Sequence, residues 1–197
     1  MAAPTQPVLF DLTPASPEGF AYREELISPA MEAALTAQIG GVPLKPFEFH
    51  GHLGNRRVAS FGWRYDYGAR QVRSAAPIPG FLIEARKVAA AFAGRRPEAF
   101  EQILVTEYPP GAGIGWHRDK ASFGEVVGLS LGSACTLRFR KAEGRGWSRR
   151  SIELAPRSAY LLSGPARREW EHSIPPVTVA RYSITFRTLA DPKDSGP

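Results

Sequence analysis

The chain has 197 residues, 43% hydrophobic and 22% charged, with a formal net charge of +6, a length and balance that suit one globular domain over 1–197. No stretch approaches the ~18 uninterrupted apolar residues of a membrane span, no charged N-terminal segment leads into an apolar run, and the single Cys135 has no internal disulfide partner. A cytoplasmic protein without a membrane partner is expected, and its excess of arginine (Arg56-Arg57, Arg138 to Arg150, Arg167-Arg168) reads either as a phosphate-facing surface or as a solvated exterior.

Residues 1–20 contain four prolines and read as an extended or partly disordered lead-in. Ser28-Pro29 opens a helix with a capping hydroxyl and proline at the first helical position. Met31, Leu35 and Ile39 recur at helical spacing, and Gly40-Gly41 closes the helix. Across 44–76 apolar and polar residues alternate, as in Phe47-Glu48-Phe49 and Trp63-Arg64-Tyr65-Asp66-Tyr67, which predicts short strands joined by loops. Pro77 and Pro79 introduce a second helix through Phe92, with Phe81, Leu82, Ala85, Val88 and Phe92 on one face and a stop at Gly94.

From Gln102 the pattern is strand after strand, at 102–108, 125–132, 134–140, 151–154, 158–163 and 180–189, with turn residues between. The expected class is α+β, mainly β: a sandwich or jelly roll with helices buttressing one sheet. Nothing suggests a repeat, a linker or an oligomer-forming surface, so a monomer is expected. Cys135 and Met31 read as core.

Two clusters carry chemistry. His117-Arg118-Asp119 puts an imidazole and a carboxylate at i and i+2, on one face of a strand. With His172, 55 residues on, they make two histidines and one carboxylate, the set that holds non-haem Fe(II) with open positions, although zinc takes similar ligands. Arg181 and Arg187, six apart in Arg181-Tyr182-Ser183-Ile184-Thr185-Phe186-Arg187, share a strand face and lie at most ~20 Å apart. Two inward arginines call for an anion such as a dicarboxylate. A solvent-exposed edge strand would alternate in the same way.

Taken together, Tyr108-Pro109-Pro110-Gly111-Ala112, Trp116-His117-Arg118-Asp119-Lys120, Glu171-His172-Ser173-Ile174 and the Arg181 to Arg187 motif resemble the AlkB family of Fe(II)- and 2-oxoglutarate-dependent dioxygenases, over roughly 50–189. The resemblance implies a double-stranded β-helix with N-terminal buttressing helices and a nucleotide-recognition lid, here 44–76. It implies iron on His117, Asp119 and His172, with 2-oxoglutarate and O₂ as co-substrates. Arg181 would anchor the distal carboxylate with help from Tyr108, and Arg187 would lie near the metal-chelating end. Thr106 and Ser183 stand where the family often has asparagine, and still offer hydrogen bonds to the co-substrate. The implied reaction couples decarboxylation of 2-oxoglutarate to succinate with hydroxylation of a substrate C–H; on an N-methyl group, the hemiaminal loses formaldehyde.

On the substrate side the resemblance points to DNA or RNA carrying alkylated bases. Trp63 and Tyr65 are candidate stacking platforms, and Arg56, Arg57, Lys120, Arg140 and Arg145 candidate contacts to nucleic acid. Ala121 replaces an acidic residue that reads the base in the best-known bacterial member, so that base preference does not transfer. His50-x-His52 lacks a nearby third ligand for a second metal. Hydroxylation of a modified tRNA nucleoside or a protein side chain, and nucleic-acid binding without turnover, are the competing readings.

Overall fold

Strand alternation divides this protein into a helix-covered core on one side of a large sheet and a cavity on the other. The computed structural model describes residues 16–49 and 52–190. The lead-in through residue 15 lies outside the described residues, as does His50. In chain order the elements are β1 (Phe20–Arg23), α1 (Pro29–Ile39), β2 (Lys45–Phe49), β3 (His52–Phe61), β4 (Trp63–Asp66), β5 (Gln71–Ser74), α2 (Ile83–Phe92), β6 (Gln102–Tyr108) and β7 (Ile114–His117). They continue with β8 (Phe123–Leu131), β9 (Cys135–Glu143), β10 (Gly146–Leu154), β11 (Ala159–Leu162), α3 (Gly164–Arg168), β12 (Glu171–Ile174) and β13 (Arg181–Leu189).

Seven strands form one sheet in the order β1-β11-β8-β13-β6-β3-β2, four form a second in the order β10-β9-β12-β7, and β4-β5 is a separate hairpin. Neighbours within each sheet pair antiparallel. This is the expected mainly-β double-stranded β-helix with helical support. α1 begins as anticipated, its Ser28 Oγ accepting from the Met31 N–H at 3.2 Å. It ends without a left-handed cap: Gly40 is right-handed and donates to the Thr36 carbonyl.

The helices cover the outer face of the seven-stranded sheet. Leu35, Ile39, Leu82 and Ala89 pack against Ile103 and Val105 of β6, Leu129 of β8, and Ile184 and Phe186 of β13. Each such buried aliphatic or aromatic side chain contributes roughly 1.5–3 kcal/mol. A second cluster joins the sheets through Leu137, Phe139 and Leu154 with Val126, Leu162 and Trp170.

Three strands escape the sequence pattern. β1 begins inside the expected lead-in, while β7 and β12 have four residues each, too few to display a period. His172 therefore lies within a strand rather than before one. The expected lid is also divided: Arg57 to Phe61 of β3 hydrogen-bond along β6 as part of the large sheet, so 44–76 is partly wall. Its hanging portion is the β4–β5 hairpin, which leaves the sheet at Gly62. There φ is +71°, and an added Cβ would lie 2.0 Å from the Glu101 carbonyl oxygen, so only glycine fits the bend.

Candidate active site

Strand register brings the two histidines together. His117 on β7 and His172 on β12 are direct partners, their ring centroids 4.3 Å apart. His117 Nδ1 donates to the Gly115 carbonyl oxygen at 2.9 Å, which leaves Nε2 as the free lone pair. Two residues after His117, Asp119 places Oδ2 3.7 Å from His172 Nε2. Its Oδ1 accepts from Arg187 Nη2 at 2.9 Å and Nε at 3.1 Å. Among the described residues no three His, Cys, Asp or Glu side chains converge closely enough to hold a metal ion as they stand. The three candidates adjoin one another, with the carboxylate shared with an arginine.

Their electrostatics suit metal ligation. Burial pushes His172 down to about 3, with His117 adding to the effect and Asp119 opposing it. Burial also lowers His117. Burial alone would raise Asp119, but Arg187, then His172 and Arg167, outweigh it and hold the carboxyl below its ordinary range. At neutral pH the site thus presents two neutral imidazoles and one carboxylate. Below about pH 6.5 an unfolded His172 takes up a proton that the folded one refuses, so stability must fall on acidification. Urea melts of metal-free protein at pH 7 and pH 5 should differ by ~1–2 kcal/mol from this group, the lower pH being less stable. His172→Asn should flatten that difference.

The wall beside the triad comes from alternate residues of central strands. On β13, Arg181, Ser183, Thr185 and Arg187 line a cavity of about 660 Å³, as do Thr106 and Tyr108 on β6. β13 lies between β8 and β6, which excludes the solvent-exposed edge strand. Arg181 is 1% exposed, yet of its guanidinium nitrogens only Nη2 has a partner, Ser130 Oγ at 2.9 Å. Nε and Nη1 are buried and have none among the described residues. The guanidinium lies over the Tyr108 ring, 4.8 Å from its centroid, so Tyr108 meets Arg181 through its face. Buried unsatisfied donors on a fixed cation are what an oxyanion would complete, and a carboxylate fits the paired N–H geometry.

One functional residue was missed in the sequence. Arg167, on the short α3, is 7% exposed and donates to four main-chain carbonyls: Gly124, Asp119, Lys120 and Phe123, at 2.8, 3.2, 2.7 and 2.6 Å. Rather than facing phosphate, it fixes the loop that carries Asp119. Its neighbour Arg168 made the pair look like a surface charge cluster, and no local signal separates them.

The expected substrate contacts divide. Arg56, Tyr65 and Lys120 line the cavity, together with Tyr67 and Phe47. Phe47 meets Tyr67 edge-on at 5.9 Å and Tyr67 meets Tyr65 at 5.0 Å, while Lys120 Nζ lies 5.1 and 5.0 Å from the Tyr65 and Tyr67 rings. Arg57, one residue from Arg56, points to the other face and is engaged by Glu107 at 2.9 Å and the Leu44 carbonyl. Trp63 is not part of the wall, because it lies at the base of the hairpin, paired with Ser74. Arg140 is drawn onto the outer face of the small sheet, where it pairs with Glu171 and lies 4.6 and 4.4 Å from the Trp116 and Trp147 rings. Arg145 is exposed in the β9–β10 turn, away from the cavity. Ala121 likewise stands outside the wall, and Cys135 is buried, as expected for core.

Residues 37–187 match the family model described as the 2OG-Fe(II) oxygenase superfamily. The chain is 30% identical over 171 residues to the mouse tRNA (carboxymethyluridine(34)-5-O)-methyltransferase ALKBH8, covering 82% of this chain and 25% of that one. It is 31% identical over 147 residues to the Arabidopsis thaliana alkylated DNA repair protein ALKBH8 homolog, covering 62% and 42%. The chain thus spans under half the length of either curated relative. Among solved structures, OsALKBH1 superposes with a TM-score of 0.62 at 17% identity, covering 88% of this chain and 98% of that one. A Pseudomonas putida prolyl-4-hydroxylase gives 0.60 at 16%, covering 87% and 92%. At such identities these two speak for the fold.

Proposed function

Because the chain belongs to the 2OG-Fe(II) oxygenase superfamily, as an AlkB-like dioxygenase that uses Fe(II), 2-oxoglutarate and O₂, we propose that it oxidises a modified nucleobase in DNA or RNA, with oxidative dealkylation of alkylated bases as its reaction. The observation that carries this reading is a single cavity holding His117, Asp119, His172 and the incompletely bonded Arg181 beneath an aromatic, cationic rim of Phe47, Tyr65, Tyr67 and Lys120.

In this reading His117, Asp119 and His172 hold the iron. Held there, Fe(II) would supply the O₂ activation that couples substrate oxidation to conversion of 2-oxoglutarate to succinate and CO₂. Arg181 grips the distal carboxylate through Nε and Nη1, with Ser130 steadying Nη2 and the Tyr108 ring beneath. Thr106 and Ser183, register partners across β6 and β13, supply hydroxyls along the same wall. Arg187 keeps Asp119 ionised and oriented while its Nη1 donates to Gln102 Oε1 at 2.9 Å. Tyr65 and Tyr67 offer faces to a flipped base, and Lys120 offers charge to its backbone. The catalytic unit in this proposal is the single domain over 1–197, of which 37–187 match the family model.

A second reading, hydroxylation of a modified tRNA nucleoside, is favoured by the tRNA carboxymethyluridine named for the mouse relative. The two differ in product. Hydroxylation next to nitrogen yields a hemiaminal that releases an aldehyde, whereas hydroxylation of a carbon-linked group leaves a stable alcohol. Protein incubated with Fe(II), 2-oxoglutarate, O₂ and modified oligonucleotides should form succinate and restore alkylated bases, both lost in His117→Ala. Succinate accompanied by a base 16 Da heavier would favour the second reading. Turnover without any change in nucleic acid would sink both.

A further inference from the structure

Arg56 is one of three arginines of the cavity, with Arg64 and Arg118, that neither the metal site nor the co-substrate position accounts for. It stands on β3 on the same face as Val58 and Ser60, both of which line the cavity. Its guanidinium carbon is 3.7 Å from the centroid of the Phe47 ring. Stacking occupies the face of a guanidinium and leaves its N–H edges free. Among the described residues those edges meet no acceptor and form no ion pair, and the groups that act on its charge include Tyr108, Tyr67, Arg187 and His117. Several other arginines do have carboxylate partners: Arg57 with Glu107, Arg95 with Glu125, Arg157 with Glu25 and Glu32.

Charge around the cavity sharpens the contrast. Its wall holds Arg56, Arg64, Arg118, Lys120, Arg181 and Arg187 against two carboxylates, Glu48 and Asp119. Asp119 is engaged by Arg187, and Glu48 is exposed and does not pair with Arg56. One dicarboxylate at Arg181 would offset only half of this excess of positive charge. Burial lowers the pKa of Arg56, as expected of a cation withdrawn from water with no counter-charge.

We infer that Arg56 receives an anionic group that the substrate itself carries into the cavity, at a subsite distinct from the dicarboxylate position on Arg181. The inference rests on the nucleobase reading above and narrows it. The required chemistry is an oxyanion able to accept two N–H bonds from the guanidinium edge. Two parts of a nucleic acid supply it: a carboxylate on the modified base, or the phosphodiester of the target nucleotide.

Equilibrium binding under nitrogen, with Fe(II) and 2-oxoglutarate present, separates these sources. The probes are one short RNA carrying 5-carboxymethyluridine, its carboxamide analogue or plain uridine, and the first of these with a methylphosphonate beside the target. If the base carries the anion, the wild-type chain should bind the carboxylate about tenfold more tightly than the carboxamide. Arg56→Gln should bring that ratio to about one, and Arg56→Lys should fall between. If the phosphate carries it, carboxylate and carboxamide should bind alike, and the methylphosphonate should weaken wild type about tenfold and Arg56→Gln not at all. Indifference of the wild type to both changes, or full discrimination in Arg56→Gln, overturns the inference while leaving the nucleobase reading standing. Loss of 2-oxoglutarate binding in Arg56→Gln also overturns it, by assigning Arg56 to the co-substrate. Failure of wild type to bind any RNA, or the matching DNA, overturns both readings.

Discussion

Arg181→Met should raise the melting temperature of the metal-free protein and abolish its stabilisation by 2-oxoglutarate. The two effects have one cause. Arg181 is 1% exposed with Nε and Nη1 unsatisfied, so the folded chain carries a buried, incompletely bonded cation. Methionine has similar volume and no donors, and removing unsatisfied buried donors recovers ~1–3 kcal/mol. For a chain of this length each kcal/mol shifts melting by ~2–4 °C, and a few degrees should survive loss of the Ser130 bond. In wild type, 2-oxoglutarate at a hundredfold excess over its dissociation constant should add ~2.7 kcal/mol, and the variant should show none of this. Scanning calorimetry with and without the ligand reads both. A variant that melts lower and still responds to 2-oxoglutarate would remove Arg181 from the co-substrate site.

Arg167→Met should do the reverse, lowering stability and loosening the metal site together. Four carbonyls converge on this guanidinium. Hydrogen bonds from a charged donor contribute ~1.5–3 kcal/mol each, and they act here as one unit, so a total loss of ~3–5 kcal/mol is expected. Arg167→Lys should recover only part, because an ammonium is a point donor and does not span four acceptors. The diagnostic is metal affinity at a temperature where both variants are folded. If the 119–124 loop is held by this side chain, Mn(II) should bind about tenfold more weakly to Arg167→Lys than to wild type. Unchanged metal affinity beside lowered stability would make Arg167 a fold residue alone.

These two arginines also mark the limit of what the sequence discloses. Strand β6 occupies the span 102–108 expected of it, and the two sides of β13 divide as its alternation implied, although alternation alone left open which side faced solvent. The pairing of His117 with His172 was anticipated as chemistry, and so was extended chain at His117; but β7 ends there and Asp119 follows in a loop rather than on the same strand, and the strand carrying His172 was not expected. Which face of an alternating strand points inward depends on the partner strand. Arg56 and Arg57 therefore looked equivalent, although one reaches the cavity and the other Glu107. Arg140 looked available until its register set it opposite Glu171 and beside two tryptophans. Long-range partners, not local composition, decide whether a cation is a binding group or a brace.

The two faces of β13 bear on how such a protein can change over time. Ile184 and Phe186 are sealed against the helices, while Arg181, Ser183, Thr185 and Arg187 open to the cavity. Heritable variation along this strand is thereby sorted by parity. Changes at 184 and 186 register as the amount of protein a cell retains, and changes at 183 and 185 chiefly as what each retained molecule accomplishes. A lineage can thus retune its chemistry at Ser183 or Thr185 without renegotiating whether the chain folds.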